Sequence, residues 1–434
     1  MGAGTVVRPL APSEQIFANR ETYIGYAVQV SGRLDLDALS EAYAAVCRMY
    51  PVMAAHLEPD GNGRHLLVES SGSVPELSVV VGDPEQLTAG AKVDQSLALS
   101  GLCVVRDGDT ASVTLLTHHG AADSSHSLAV LARLWSFYTE IVAGRTPEVQ
   151  VCPFPAPVEQ LLATRGIAKK ATAPLPDLPP NGTSSTTTPG APDQNVLGLD
   201  EAGLLMFRTT RYRFTPETTA AVVDLGRRRN VTVNSLVSAA MLLTEAELRA
   251  LTLPELFYAY PVDLRTRITP PIGPVEGTTV VGTNLYIPTG AVGNEFLGIA
   301  RNIGEQLVDG LRSGDIQQTP LHIPDTPAAA PPPPPAGLFG STNWGRVPTP
   351  RSPDGLRMND FRSAMIVRLA PGTRTLPDQF GIVSYTVSTF GGRLSVEIHH
   401  ADETSAQHVH RMNTFAATLQ AAVAVNSPSI RRIP

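Results

Sequence analysis

Residues 111–143 of the chain are ASVTLLTHHGAADSSHSLAVLARLWSFYTEIVA. The stretch Ala111–Thr117 is rich in Val, Leu and Thr and predicts a β-strand. The stretch Ser124–Ala143 predicts a helix, because its large apolar residues recur at helical spacing on one face. These residues are Leu128, Leu131, Trp135, Tyr138 and Val142. The six residues His118–Asp123 therefore join the end of a strand to the start of a helix.

This connector carries the candidate catalytic groups. A side chain at the end of a strand is held rigidly and projects into a cleft. Histidine accepts a proton near neutral pH because its ordinary pKa is roughly 6.5. His118 and His119 are thus candidate general bases, and the small residues at 120–122 leave room for a substrate. Asp123, at the helix start, can be fixed by backbone N–H groups or by an arginine.

Two other histidine patterns have simpler interpretations. His118 and His119, with Asp123 and His126, resemble a metal-ligand set, but adjacent residues on a strand point to opposite faces and cannot easily share one ion. We therefore predict no metal site. The sequence His399-His400-Ala401-Asp402 is a second His-His-acid cluster, but its spacing differs from that of residues 118–123, and we interpret it as structural or solvent-facing.

The rest of the first half mixes strands and helices. Tyr23–Ser31 predicts a strand, and the helix that follows, capped by Asp35 or Asp37, runs to about Met49. Three short strands follow, at Arg64–Val68, Leu77–Val81 and Leu102–Val105. This mixture indicates an α/β or α+β fold.

The second half is a separate region of the same kind. Residues 171–200 are rich in Pro, Ser and Thr and predict a crossover linker between a lobe at 1–170 and a lobe at 201–434. The predicted elements of the second lobe are strands at Leu204–Phe214 and Phe257–Val262, helices at Pro216–Arg229, Val233–Leu251 and Glu295–Ser313, a Pro-rich loop at 324–336, a hairpin at Ile382–His399 and a helix at Ser405–Ala424. No internal repeat is evident.

Composition narrows the functional class. The chain has 434 residues, a net charge of −7 and no basic run of the kind that nucleic-acid binders need. Leu225–Val233 lies between two predicted helices and mimics a helix-turn-helix, but the negative charge argues against a DNA-binding regulator. The three cysteines are far apart and predict reduced thiols. Without an apolar stretch of ~18 residues or a signal peptide, we expect a cytoplasmic protein with no membrane span.

The pattern H-H-x-x-x-D at a strand-to-helix junction resembles the signature of a superfamily of thioester-dependent acyltransferases. This superfamily includes chloramphenicol acetyltransferase and the condensation domains of peptide synthetases. The stretches RPLAPSEQIFA, PVEQLLATRGIAKK, VTVNSLVSAAMLLTEAELR and YAYPVDLRTRITPPIGPVEGTT are similar to its polyketide-associated branch, typified by the phthiocerol dimycocerosyl transferases. The resemblance implies two chloramphenicol-acetyltransferase-like lobes, each a mainly antiparallel or mixed sheet with helices, around a tunnel.

The resemblance also assigns roles to residues. It implies that His119 is the general base, that Asp123 shapes the site by pairing with an arginine, for which Arg265 is the candidate, and that His118 packs and hydrogen-bonds. Substrate-binding candidates are Ser124, where many members have Gly, and the pair Asn343 and Trp344. The chain has Asp360-Phe361-Arg362 where many members have Asp-Phe-Gly-Trp-Gly.

The implied reaction is the transfer of an acyl group from coenzyme A or from the phosphopantetheine of an acyl carrier protein. The expected acyl group is acetyl. The thioester is a co-substrate, and no cofactor is bound permanently. The acceptor is a hydroxyl of a polyketide such as an ansamycin-like macrolactam, and the enzyme is a monomer. Two alternatives stay open: esterification of long-chain lipid diols from an acyl carrier protein, and a non-catalytic condensation-like module that binds a carrier protein.

Overall fold

The structure is a computed structural model that describes residues 4–70, 74–170, 203–289, 293–323, 335–369, 382–400 and 405–426. Within these ranges the strands are β1 (Thr5–Pro9), β2 (Tyr23–Gly32), β3 (His56–Pro59), β4 (His65–Glu69), β5 (Leu77–Val81), β6 (Ser100–Asp107), β7 (Thr110–His118), β8 (Leu204–Met206), β9 (Arg208–Arg213), β10 (Phe257–Asp263), β11 (Val281–Tyr286), β12 (Leu338–Arg346), β13 (Leu356–Arg368), β14 (Ser384–Phe390) and β15 (Arg393–His400). The α-helices are α1 (Pro12–Ala18), α2 (Leu36–Met49), α3 (Ser124–Val142), α4 (Val158–Ala163), α5 (Pro216–Arg229), α6 (Val233–Arg249), α7 (Phe296–Ser313), α8 (Asp315–Gln318) and α9 (Ser405–Val425).

The first lobe is a six-stranded sheet with helices on one face. Its strand order is β5-β6-β7-β2-β13-β8, antiparallel except for the parallel pair β5–β6. Helices α2 and α3 pack on this sheet through a buried apolar core that includes Tyr43, Leu134 and Trp135. The side chain of Asp35 caps α2 by accepting from the backbone N–H of Ala38. A small sheet of order β1-β4-β3 completes the lobe.

The second lobe repeats this architecture with a mixed sheet. Its order is β11-β10-β12-β14-β15-β9, with β10, β12 and β14 parallel to one another. Helices α5, α6, α7 and α9 contribute to the core on this sheet. The predicted hairpin is confirmed: β14 and β15 turn at Gly391 and Gly392, whose φ angles of 55° and 74° suit a tight hairpin turn. The predicted class, α/β with two sheet-and-helix lobes, is confirmed.

The chain exchanges strands between the lobes. Strands β8 and β13 come from residues 201–434, the predicted second lobe, yet both lie in the sheet of the first lobe, where β13 pairs with β2 and with β8. The predicted single strand Leu204–Phe214 is wrong, because Phe207 separates β8 in one sheet from β9 in the other. The predicted linker 171–200 and nearly all of the Pro-rich loop 324–336 lie outside the described residues, and the lobe boundaries stay a prediction.

Candidate active site

The strand-to-helix connector is fixed at both ends. Strand β7 ends at His118, which pairs with Tyr23 of β2. The backbone N–H of His119 donates to the carbonyl of Thr22 at 2.8 Å, so the next residue is held against the start of β2 as well. Helix α3 then begins at Ser124, with Asp123 as its N-cap. The connector is thus a short, hydrogen-bonded turn, as its sequence predicts.

His119 faces a cavity with one of its ring nitrogens. Its Nδ1 is buried without a well-aligned hydrogen-bond partner, so Nε2 is the nitrogen left to face the cavity. The ring packs on Phe17 of α1, with 4.1 Å between ring centroids. Burial lowers the pKa of His119, while the carboxylate of Asp123 and the backbone of Ala122 and of His119 itself oppose that shift. The imidazole is therefore neutral near pH 7 and able to accept a proton.

His118 points the other way and holds the turn. Its Nε2 is 3.1 Å from the amide oxygen of Gln95, and its Nδ1 accepts from the backbone N–H of Gly120 at 3.2 Å. Burial lowers its pKa to about 3, so it is neutral and keeps both hydrogen bonds. These contacts are of the packing and hydrogen-bonding kind that the family resemblance implies for His118, and His118 does not line the cavity.

Asp123 ties the connector to the second lobe. Its carboxylate accepts from both terminal nitrogens of Arg265, at 2.8 and 2.9 Å. It also accepts from the backbone N–H of Val280 at 2.8 Å and from that of His126 at 3.0 Å. The backbone N–H of Asp123 donates to the carbonyl of Thr278 at 2.8 Å. The structure thus joins the predicted pair in a bidentate ion pair, a geometry specific to arginine and carboxylate.

The surroundings of Arg265 keep its guanidinium charged. Asp123 and Arg265 are 2% and 5% exposed, so water screens their attraction little. Burial alone would lower the pKa of Arg265, but the carboxylates of Asp123 and Asp263 outweigh it and raise that pKa. The guanidinium stays charged and keeps Asp123 at the base of α3.

The cavity lies between the two sheets and has a volume of about 490 Å³, within the range of small-molecule sites. Its lining includes the predicted residues His119, Asp123, Ser124 and Trp344. The indole of Trp344 stacks on Tyr26, with ring centroids 4.8 Å apart. Further lining residues come from the sheet of the second lobe and the turn before it: Thr279, Thr283, Thr342, Ser384, Thr386 and His399.

Asn343 is not placed in the cavity lining. It lies on β12 between Thr342 and Trp344, and successive side chains of a strand point to opposite faces. Its amide donates to Asn234 at 2.7 Å, and its oxygen accepts from the backbone N–H of Gly345 at 2.8 Å. Asn343 thus lies outside the cavity lining to which its neighbours Thr342 and Trp344 belong, and its role in substrate binding stays a prediction.

His399 lies in the same cavity wall but has no free nitrogen. Its Nδ1 is 3.1 Å from the hydroxyl of Thr209, and its Nε2 is 2.9 Å from that of Ser363. His400 is buried and lies 2.9 Å from the hydroxyl of Thr210. The structural interpretation of this second His-His pair agrees with these bonds, although its position beside the cavity was not predicted.

Phe17 was missed as a site residue because it lies about a hundred residues before the connector. Its helix α1 is anchored by the fully buried Glu14, whose carboxylate accepts from Arg8 at 2.6 Å and from Thr278 at 2.7 Å.

Among the described residues, no group of three or more His, Cys, Asp and Glu side chains is arranged to hold a metal.

Solved structures identify the class of fold. Polyketide synthase associated protein 5 from Mycobacterium tuberculosis matches with a TM-score of 0.77 and 27% identity, over 98% of this chain and 100% of that one. A trichothecene 15-O-acetyltransferase from Fusarium sporotrichioides matches with a TM-score of 0.64 over 96% and 95% of the two chains; its 13% identity shows the fold alone. The chain thus has the fold shared by condensation domains and acetyltransferases.

Sequence relatives identify the family. The phthiocerol/phthiodiolone dimycocerosyl transferase of Mycobacterium sp. (strain JLS) is 32% identical over 409 residues, 92% of this chain and 93% of that protein. The transferase of the same description from Mycobacterium leprae (strain TN) is 29% identical over 96% and 98% of the two chains. A model of the phthiocerol/phthiodiolone dimycocerosyl transferase C-terminus matches residues 204–399. The chain belongs to this family and is an acyltransferase.

In the described parts of the chain, no single helix is long and apolar enough to cross a membrane. One pair of helices, Pro216–Arg229 and Val233–Arg249, passes the same test of length and composition only when taken together, across a bend of 106°.

Proposed function

We propose that the chain moves an acyl group from a thioester to a hydroxyl, with His119 as general base. Nε2 of His119 takes the proton of the acceptor hydroxyl while that oxygen attacks the thioester carbon. The tetrahedral intermediate collapses with cleavage of the carbon–sulfur bond. The leaving thiolate then receives the proton from His119, which returns the imidazole to its neutral state. Donor and acceptor meet in one cavity, so no covalent enzyme intermediate is needed.

The observation that carries this proposal is the placement of one neutral imidazole at the cavity. His119 has its Nδ1 enclosed and its ring held by Phe17, which leaves Nε2 as the reacting nitrogen. Asp123 is fully occupied by its four donors and supports the connector without reaching the substrate as a base. His399, the other imidazole in the wall, has a partner within hydrogen-bonding distance at each nitrogen.

For the acceptor, the relatives favour a lipid diol. They are named for the acylation of phthiocerol and phthiodiolone, and they match over nearly the whole chain. We therefore place a long-chain diol ahead of an ansamycin-like macrolactam as the acceptor class. The donor in this proposal is an acyl-coenzyme A or an acylated carrier protein; the acetyl donor expected from the sequence stays a prediction.

The test measures free-thiol release from acyl-coenzyme A and from an acylated carrier protein, with and without long-chain diols and polyketide alcohols. We expect release that depends on the acceptor and falls by about 10²–10⁴-fold in His119→Ala. The matched control is His399→Ala, which removes an imidazole from the same wall and should keep kcat within about tenfold of the wild-type value.

Loss of activity in both variants to the same extent would contradict the assignment of His119. Binding of an acyl carrier protein without release of thiol from any donor would instead support the second class, a non-catalytic module.

A further inference from the structure

A second cavity of about 550 Å³ adjoins the catalytic cavity. The two cavities have different linings except for two residues, Phe207 and Ala364, which line both. A residue that lines two neighbouring cavities stands between them. Phe207 and Ala364 are therefore part of the wall between the catalytic cavity, which His119 lines, and the second cavity.

Phe207 is held firmly in this wall. It is the crossing point between β8 in the first sheet and β9 in the second, and its backbone N–H donates to the carbonyl of Met365 at 3.1 Å. Its side chain is 8% exposed and packs in a small apolar cluster with Leu205, Val367 and Leu369. The ring is thus a rigid part of the barrier, fixed by packing and by the backbone.

The other half of the wall is built from small side chains. Ala364 pairs with Gly25 in the neighbouring strand, and a methyl group added to Gly25 would lie 2.8 Å from that of Ala364. Ala364 also packs with Ala27 and Leu87. Of the two residues that line both cavities, Phe207 has the larger side chain.

The lining of the second cavity is mixed in polarity. Leu87 packs on Ala364 and gives the cavity apolar surface beside the wall. Arg208 directly follows Phe207, and Arg362, which donates to Glu85 at 2.6 Å, lies two residues from Ala364 on β13. Charged and apolar side chains thus both adjoin the wall.

We propose that Phe207 is a specificity-determining residue that limits the length of the acyl chain transferred by this protein. The inference rests on the proposed function. With Phe207 in place, the acyl group and the acceptor hydroxyl share the catalytic cavity. With a smaller side chain at this position, the space reachable from His119 roughly doubles, and the far end of a long acyl chain enters the second cavity.

The test uses the full chain and a series of straight-chain acyl groups from acetyl to dodecanoyl, each on coenzyme A and on a carrier protein, with one fixed alcohol acceptor. In Phe207→Ala we expect kcat/KM, relative to the value for acetyl transfer in the same variant, to depend on the length of the acyl chain. For the longest chains it should rise at least tenfold. Phe207→Leu should give a smaller rise, and Phe207→Trp should shorten the longest chain accepted.

The control is Phe214→Leu, because Phe214 is fully buried in the core of the second lobe and lines neither cavity. It should lower stability and leave the chain-length profile unchanged. Short-chain transfer with the same length profile in all Phe207 variants would overturn this inference and leave the proposed function standing. No transfer from either donor at any chain length, in the wild type and in every variant, would overturn the proposed function and the inference together.

Discussion

The ion pair between Asp123 and Arg265 gives the most direct test of how the two halves build one site. Removing one partner of a buried ion pair costs about 3–5 kcal/mol, because the remaining charge stays buried without its counter-ion. Both residues are almost fully buried, and their two hydrogen bonds are 2.8 and 2.9 Å long. We expect Arg265→Ala to lower the free energy of unfolding by about 4 kcal/mol, which is nearly a thousandfold in the ratio of folded to unfolded protein.

The assay is urea denaturation followed by fluorescence, for Arg265→Ala, Asp123→Ala and the double variant. The double variant removes both charges, so its cost should be less than the sum of the two single costs by about 1–3 kcal/mol. Arg312→Ala is the control, because Arg312 pairs with Asp309 on the surface, where their side chains are 74% and 69% exposed. Its effect should be below about 1 kcal/mol.

Catalytic activity should also fall when the ion pair between Asp123 and Arg265 is broken. Asp123 caps α3 four residues after His119, so loosening it moves the base relative to the cavity, and kcat should fall more than KM changes. Strictly additive single costs, or an Arg265→Ala variant as stable as Arg312→Ala, would refute the argument that this pair joins the lobes at the site.

Two further predictions concern buried imidazoles. Burial lowers the pKa of His118 to about 3 and that of His126 to about 4, so between about pH 6.5 and 4 the unfolded chain binds protons that the folded chain does not. The free energy of unfolding should therefore fall as the pH drops through this window, by about 1.4 kcal/mol per pH unit for each histidine. In His126→Asn the fall should be less steep, because one of the two histidines is gone. Urea midpoints measured at several pH values check both expectations. Phe17→Ala should expose the ring of His119 to water and thereby raise the pKa of His119. The acidic limb of the pH–rate profile should then move to higher pH. An unmoved limb would show that Phe17 does not shield the base.

The sequence predicted the elements whose signals are local. Strand β5 and helix α5 have the predicted bounds, α3 ends one residue earlier than predicted, and β7 extends one residue further at each end. Each has a clear period of apolar residues, with a cap or a turn at its ends. The connector was predicted for the same reason, because strand, turn and helix follow one another directly along the chain.

Strand β13 was missed because its interior carries charges. It contains Asp360 and Arg362, which argue against a buried strand when taken alone. In the fold, Asp360 accepts from Arg211 of β9 at 2.6 Å, and Arg362 donates to Glu397 of β15 at 2.6 Å. These partners come from the other sheet, so no local pattern could show that the charges of β13 are satisfied.

In the site, too, the residues that lie close together in the sequence could be predicted and their distant partners could not. His119 and Asp123 lie on one short segment, and their spacing is visible in the sequence. Their surroundings are not local: Phe17 holds the imidazole from the start of the chain, and Arg265 holds the carboxylate from its second half. The position of the base thus depends on the docking of the two lobes, and the stability of that docking and the geometry of catalysis are set by the same contacts.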